Sequence, residues 1–459
     1  MHEPPLYVTM IFCAVLAGMI VTLAFEERLH AKKSLITGLY AVLSLALGHA
    51  LGVLPFGPQT NAWGETLKLP VYVLGIDWAV IAIILGSSLF VDVTSKSGLF
   101  TWIAIRLTKA SKGDPLLLLI NYGLMTVLFS ALLNNVTAMI IVGSLTAVSL
   151  EKLEQRDKLL GFLLVEGLLT NIGGLLTLIS SVPNIIVGNA AGISFLKFFW
   201  ISAPFVTVGT LATLFMAARI FGIRRVQGKE ERAKAAERVA SFDENDGIES
   251  KGYFWVSAFM LVAFIACIAA SSMLDYPLGM GAVAMGFGIV MLVRYKSTVD
   301  RFYRTLDWDL LLFFAFLFVV IDVMEHAHVL HLFGEGLAHL IALNDVAHGL
   351  GTGSTLVSAA ALSAVTDNIP LAAMLAHILE GMEPLADSRL WWSVVFGANL
   401  GGNLTPIGSA STVVAVTLMH KYELPMSFMQ FVKTALPFAL VHLVLSVVYV
   451  LWVVPLLPH

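Results

Sequence analysis

The sequence predicts an all-α polytopic membrane protein of two inverted repeats. Each repeat is expected to hold a re-entrant hairpin and a broken transmembrane helix, in about 10–11 spans of bilayer-crossing length. Three observations lead there. Of 459 residues, 58% are hydrophobic and only 13% are charged; mean hydropathy is +0.87, whereas a soluble domain carries about a quarter charged residues. Three polar motifs also recur in one order at nearly one spacing, and the basic residues fall almost entirely on one side of the expected spans.

The first apolar run, residues 6–24, follows MHEPP. It lacks a basic n-region and a small-residue cleavage site, so it reads as a retained helix. Cys13 and Cys267, the two cysteines, sit in apolar runs. Neither a disulfide framework nor a cysteine metal site is expected.

Asp77-Trp78 and Asp307-Trp308 each begin a span, with Asp92 and Asp322 following 15 residues later. LNNVTAMI (133–140) is matched by TDNIPLAA (366–373), and NIGGLLTLISS (171–181) by NLGGNLTPIGS (399–409). The offsets are 230, 233 and 228, about half the chain. The expected division is therefore an N-terminal repeat over 1–223, a polar linker over 224–252 read as a mobile surface connection, and a C-terminal repeat over 253–459.

Cytoplasmic loops are enriched in Lys and Arg. Twenty-two basic residues gather on one side, eight of them between Arg219 and Lys251; Lys68, Lys197 and Arg389 lie on the other. The linker is thus expected in the cytoplasm and both termini outside. Residues 114–150 are flanked by basic loops at both ends, so they enter and leave on the cytoplasmic side, with Asn134, Asn135 and Thr137 at the tip. The partner segment, about 345–388, has no Lys or Arg and is expected to enter from outside, with Asp367 and Asn368 at its tip. Inverted repeats with helices interrupted at mid-membrane mark transporters.

The breaks are expected at NIGGLLTLISSVPN and NLGGNLTPIGSAST. Paired glycines (Gly173-Gly174, Gly401-Gly402) weaken a helix, and Pro183 or Pro406 removes a backbone donor. Irregular backbone at that depth survives only inside protein or along a wet cavity. The candidate ion-binding residues are Asn134, Asn135, Thr137, Asn171, Gly173, Gly174, Thr177, Asn184, Asp367, Asn368, Asn399, Gly401, Gly402, Asn403, Thr405 and Ser409. The plainer reading is that small residues here only let helices pack closely.

These motifs resemble the ion transporter superfamily. LLNNVTAMIIV, TNIGGLLTLISSVPNIIVG, TDNIPLA and WWSVVFGANLGGNLTPIGSASTVVA are similar to the arsenite permease and NhaD-type sodium/proton antiporter group, with citrate-like permeases and the melanosomal P protein as kin. The resemblance covers roughly 70–450. It implies a two-repeat fold with re-entrant hairpins, an elevator-like movement and a homodimer. Relatives often read GTLIGDPPN in the first break, where this chain has LTLISSVPN, with Ser180 and Ser181 replacing a glycine and an acid.

Ionisable residues inside a membrane are costly and usually functional. Asp367, at a hairpin tip, is the leading proton-coupling candidate; the alternative is an aspartate that holds the turn. Glu166, before Thr170-Asn171, is the second, or else it faces an aqueous vestibule. Asp92 and Asp322 read as helix-terminal groups, and Asp77 and Asp307 as caps. The run with His326, His328, His331, His339 and His348 reads as an interfacial amphipathic helix, with pH sensing or metal binding as alternatives.

The expected function is a secondary transporter exchanging H+ for a small ion, Na+ first, with arsenite or another anion as the alternative. Its partners are that ion, H+ and the bilayer of the cell's inner (plasma) membrane. No nucleic acid partner, cofactor or resident metal is expected. The chain holds no His-Glu-x-x-His zinc motif or matched carboxylate pair for an intramembrane enzyme, and no P-loop. A separate ATPase partner, as for some arsenite permeases, stays open.

Overall fold

A computed structural model describes residues 4–54, 59–60, 66–67, 69–240, 242–271, 279–346, 349–366, 368–382, 389–424 and 426–457. Asp367 and His348 lie outside the described residues. The first half runs α1 (Leu6–Ala24), α2 (Glu26–Leu29), α3 (Lys33–Ala50), a short pair β1 (Gln59–Thr60) and β2 (Thr66–Leu67), and α4 (Val71–Leu74). It continues with α5 (Trp78–Ser95), α6 (Leu99–Ala110), α7 (Pro115–Leu132), α8 (Asn135–Lys152), α9 (Leu159–Gly174), α10 (Val182–Ala190) and α11 (Phe195–Ile220). After α12 (Lys229–Ala240) come α13 (Lys251–Ser271), α14 (Gly279–Leu292), α15 (Val299–Thr305), α16 (Trp308–His326) and α17 (Val329–Val346). The chain closes with α18 (Leu350–Ser363), α19 (Asn368–Gly381), α20 (Arg389–Gly401), α21 (Ala410–Lys421) and α22 (Phe428–Val448).

The two halves repeat one order of elements, in which α7–α8 and α18–α19 are the hairpins and α9–α10 and α20–α21 the broken helices. Their packing is reciprocal. α5 lies on α14 as α3 lies on α16; α21 lies on α8 and α9 as α10 lies on α19 and α20. Exchange of contacts between halves is what an inverted-repeat transporter requires. α1, α3, α5, α13, α14 and α16 form one body, the hairpins with α9–α11 and α20–α22 a second, and α6 and α17 lead from the first to the second.

Local chemistry repeats as well. Asp77 Oδ1 accepts from the Ala79 and Val80 N–H groups, and Asp307 Oδ1 from Leu310 N–H. The neighbouring indoles, Trp78 and Trp308, each donate to the carbonyl five residues earlier, Val73 and Tyr303. Asp114 caps α7, where Pro115 occupies the first turn and needs no donor. Ser194 and Ser427 cap α11 and α22, each with an internal proline, Pro204 and Pro437, 233 residues apart.

Among the described residues, seven helices are long and apolar enough to cross a membrane, and α16 with α17, bent by 80°, makes an eighth. α7, among the seven, belongs to a hairpin. Taking α1, α3, α5, α11, α13, α14, α16, α22 and the two broken pairs as the crossings gives ten. The aromatic flank of α13 (Trp255, Phe259) is exposed, as a lipid-facing helix requires.

The linker departs from expectation: it is docked. Val239 and Phe242, apolar residues in an otherwise polar run, are buried. Arg238 donates to Leu153 O at 3.2 Å and pairs with Glu154 at 2.6 Å. Glu244 accepts from Lys109 at 2.9 Å and Arg106 at 3.3 Å. The linker therefore braces the base of the first hairpin against α6.

Candidate functional site

Both hairpin tips are fastened to their breaks by the same two hydrogen bonds. In the first repeat Ser130 Oγ lies 2.6 Å from Thr170 O, and Thr177 Oγ1 donates to Ala131 O at 2.6 Å. In the second, Ser363 Oγ donates to Ala398 O at 2.6 Å and Thr405 Oγ1 to Ala364 O. The glycine pairs explain the close fit. A Cβ on Gly173 would stand 2.7 Å from Val127 Cα, and one on Gly401 would stand 2.3 Å from Ala360 O. A Cβ on Gly174 would strike the Asn135 side chain at 2.7 Å.

A second set of bonds joins the repeats. Asn171 Nδ2 donates to Asn403 Oδ1 at 2.8 Å and Ser409 Oγ at 2.9 Å, while Ser411 Oγ donates to Asn171 Oδ1 at 2.9 Å. Asn399, the equivalent of Asn171, donates to Asn184 Oδ1 at 2.9 Å and accepts from Ser181 Oγ at 2.7 Å. Asn171, Asn184, Asn399 and Asn403 are fully buried. They act as a two-sided clasp where the broken helices cross, with their polar atoms turned on each other.

The breaks are not alike. In the first, Asn184 Nδ2 donates to Gly174 O at 2.6 Å and to Thr177 O at 3.0 Å, and Ser180 Oγ lies against the same two carbonyls, at 2.6 and 2.8 Å, with one proton for the pair. Carbonyls expected to face an ion are thus closed off by the protein itself. At the same offset the second break has Gly408 and Thr412 in place of Ser180 and Asn184. Its Thr405 carbonyl accepts from Gly408 N–H at 3.3 Å, and Ser409 caps α21 through Thr412 N–H.

Of the tip residues, Asn134 caps α8 by accepting from Thr137 N–H at 2.8 Å. Asn135 Oδ1 lies 2.7 Å from Ser130 Oγ, and Asn135 is only half-buried. Asn368 is buried at the start of α19. Glu166 is 1% exposed in α9. One carboxyl oxygen accepts from Thr146 Oγ1 at 2.6 Å and the other has no partner.

A cleft of about 710 Å³ opens on the second repeat. Its lining includes Ile20, Phe313 and Leu337 together with Thr366, Pro370 and Ser409, so it reaches the second tip and the second break. The histidine run is split. His326 pairs with Asp322 (3.7 Å) and His331 with Glu335 (3.8 Å). No His/Cys/Asp/Glu cluster fit for a metal occurs among the described residues.

Two groups escaped the sequence. His377 on α19 bonds Glu325 on α16, tying the two bodies. His442, fully buried on α22, lies 2.7 Å from Thr213 Oγ1, whose proton goes to Gly209 O. The ring's Nε2–H therefore donates to Thr213, and Nδ1 faces Asn403 Nδ2 at 3.4 Å. The only sequence signal for His442 is a histidine inside an apolar run.

Two interlocked repeats, paired hairpins and helices broken at their tips are the architecture of an integral, multi-pass secondary transporter. The family described as citrate transporter matches residues 20–397, and the chain belongs to it. An uncharacterized transporter of Mycobacterium bovis is 30% identical over 387 residues, covering 82% of this chain and 86% of that one. The P protein of Mus musculus is 23% identical, over 95% of this chain and 62% of that one. Among solved structures, the YdaH transporter of Alcanivorax borkumensis, of unusual topology, superposes with a TM-score of 0.60 at 15% identity, covering 92% of this chain and 98% of that one. MtrF of Neisseria gonorrhoeae, described as one of a class of antimetabolite efflux pumps, gives 0.55 at 15% identity, covering 92% and 95%. These two likenesses concern the fold.

Proposed function

We propose that the chain is a proton-coupled antiporter of a small ion, Na+ first, working by an elevator-like movement of the hairpin body against the other. The observation that carries this reading is the asymmetry of the breaks. Ser180 and Asn184 close the carbonyls of the first, while the second lacks both side chains and borders the open cleft. The ion site then centres on the second tip, with Asp367, Asn368, Thr405 and Ser409. Asn134, Asn135 and Thr137 form the opposing tip. Carboxylate, carboxamide and hydroxyl oxygens are hard donors suited to such cations. Asp367 and Glu166 would carry the exchanged proton, as carboxylates do in intramembrane relays.

The second reading is export of arsenite or movement of a carboxylate-type anion. It is favoured by the family's description and by the four helices that begin at the tips and breaks (α8, α10, α19, α21), whose N-termini attract anions. A homodimer belongs to the proposal, and a separate ATPase partner only to the arsenite reading. Flux in liposomes holding the purified protein distinguishes the two. Asn368→Ala should weaken apparent ion affinity about tenfold, the loss of one ligand. Unchanged affinity would move the site away from the second tip.

A further inference from the structure

Glu166 is the carboxylate for which the symmetric framework has no use. The bonds that fasten tips and cross the repeats occur twice, whereas the residues around Glu166 occur once. At the repeat offsets, Val394 stands for Glu166, Thr355 for Tyr122, Leu379 for Thr146 and Met382 for Ser149. A carboxylate absent from one half is not needed to build the fold.

Its surroundings lead in a definite direction. α7, α8 and α9 share a base beside residues 106–114 and 152–158, which carry Arg106, Lys109, Lys112, Lys152, Arg156 and Lys158. By the charge rule that base faces the cytoplasm. From it, Thr108 Oγ1 lies 2.8 Å from Ala104 O, to which it donates, and 2.6 Å from Tyr122 Oη, so it passes a proton inward by turning from the carbonyl to Tyr122; Tyr122 in turn donates to Ser149 Oγ at 2.7 Å. All three are buried. One turn deeper on α8, Thr146 bonds Glu166. Tyr122 lies within electrostatic reach of Glu166, and Glu166 makes no ion pair among the described residues. On the other side, α21 presents apolar Ala415 to Gly167, and α11 presents Leu214 beside Leu169. Toward the tip, Thr170 Oγ1 donates to Glu166 O at 2.7 Å, and Ser130 sits between Thr170 O and Asn135 Oδ1. Glu166 thus stands between a hydroxyl chain from the base and the first tip.

We infer that Thr108, Tyr122 and Ser149 form the route by which a cytoplasmic proton reaches Glu166, and that Glu166 Oε2 is where it is held. This rests on the proton-coupled reading above. Each hydroxyl gives its proton to the next group and takes one from the group before. The net step joins one H+ to the Glu166 carboxylate and leaves the chain neutral. The remaining step, from Ser149 to Glu166, passes the one turn of α8 that separates Ser149 from Thr146, the residue bonded to the carboxyl, and is carried by a bridging water. Intramembrane chains of this kind serve proton relays in pumps and transporters.

The test uses full-length protein in liposomes and labelled Na+, or labelled arsenite should the wild type carry that. Two rates are measured: uptake driven by a pH gradient, and exchange of labelled for unlabelled ion at equal pH. Glu166→Gln keeps the Thr146 bond but cannot release a proton, so gradient-driven uptake should fall more than about tenfold while exchange persists. Tyr122→Phe removes one oxygen and should slow gradient-driven uptake by about tenfold, sparing exchange. If Glu166→Gln does not fold, Tyr122→Phe alone decides. Gradient-driven uptake at the wild-type rate in a folded variant overturns the route and leaves the antiporter reading standing. A wild type that moves no protons with any ion overturns both.

Discussion

Replacing Asn171 with alanine separates a structural clasp from an ion ligand. Asn171→Ala deletes bonds of 2.8 Å to Asn403, 2.9 Å to Ser409 and 2.9 Å from Ser411. Ser409 keeps Thr412 at 3.0 Å, so its loss is small. The Ser411 hydroxyl can turn to Ser409 Oγ at 3.1 Å, so the Asn403 oxygen is the group left buried without its Asn171 partner. Such an orphan costs about 1–3 kcal/mol. Bonds inside membrane proteins measure near the low end, about 0.6 kcal/mol on average, because the denatured chain also finds partners. The one orphan, taken at the low end of the range, gives about 1 kcal/mol. Reversible unfolding of purified Asn171→Ala, Ser411→Ala and the double variant measures it. The pair should couple, with a double loss smaller than the sum of the singles. A loss under about 0.5 kcal/mol, within the range of neutral surface changes, together with weaker ion affinity, would show that Asn171 faces the ion and that the clasp is misread.

Other expectations concern backbone contact, the acid tip and the brace. Gly401→Ala places a methyl 2.3 Å from Ala360 O, where backbone must move, and should abolish folded expression; Gly336→Ala, with nothing within 4 Å, should be silent. Size-exclusion profiles of the two detergent extracts check this. Asp367→Asn should eliminate proton coupling while leaving that profile intact, and coupled flux in this variant would remove Asp367 from the mechanism. The hydrogen bond from Lys109 holds the partly exposed Glu244 carboxyl below its ordinary value. The brace it provides is therefore complete above the usual carboxyl value of about 4.3 and lost as pH falls through the lower folded value. Protection of the linker amides from hydrogen exchange, corrected for the intrinsic pH dependence of exchange, should fall as pH drops through that lower value, and trypsin at pH 7 should cut the linker faster in Lys109→Met than in wild type; a linker cut equally fast in both contradicts the docking.

Much of this architecture is legible in the chain because its signals are local. The Asp-Trp starts, the Asn-bearing tips and the Gly-Gly breaks each announce themselves within a dozen residues, and their spacing exposes the repeat. The partners of Asn171 and Asn399 do not, since each bonds residues more than 200 positions away. Sequence marks these asparagines as polar and deep, which suits an ion ligand and a clasp equally. Closure of the first break is partly visible: Ser180 and Asn184 sit in the motif, but only their geometry turns them onto Gly174 and Thr177. The docked linker was hidden because two apolar side chains, Val239 and Phe242, are too few to mark a buried face within a charged run.

The most direct measurement is proton movement itself. Purified protein in liposomes loaded with a pH dye would receive Na+, Li+, K+, arsenite and citrate in turn. The account predicts a pH change on Na+ or Li+ that disappears in Asp367→Asn. A response to arsenite or citrate alone, with none to any cation, would contradict the cation assignment while leaving the fold in place.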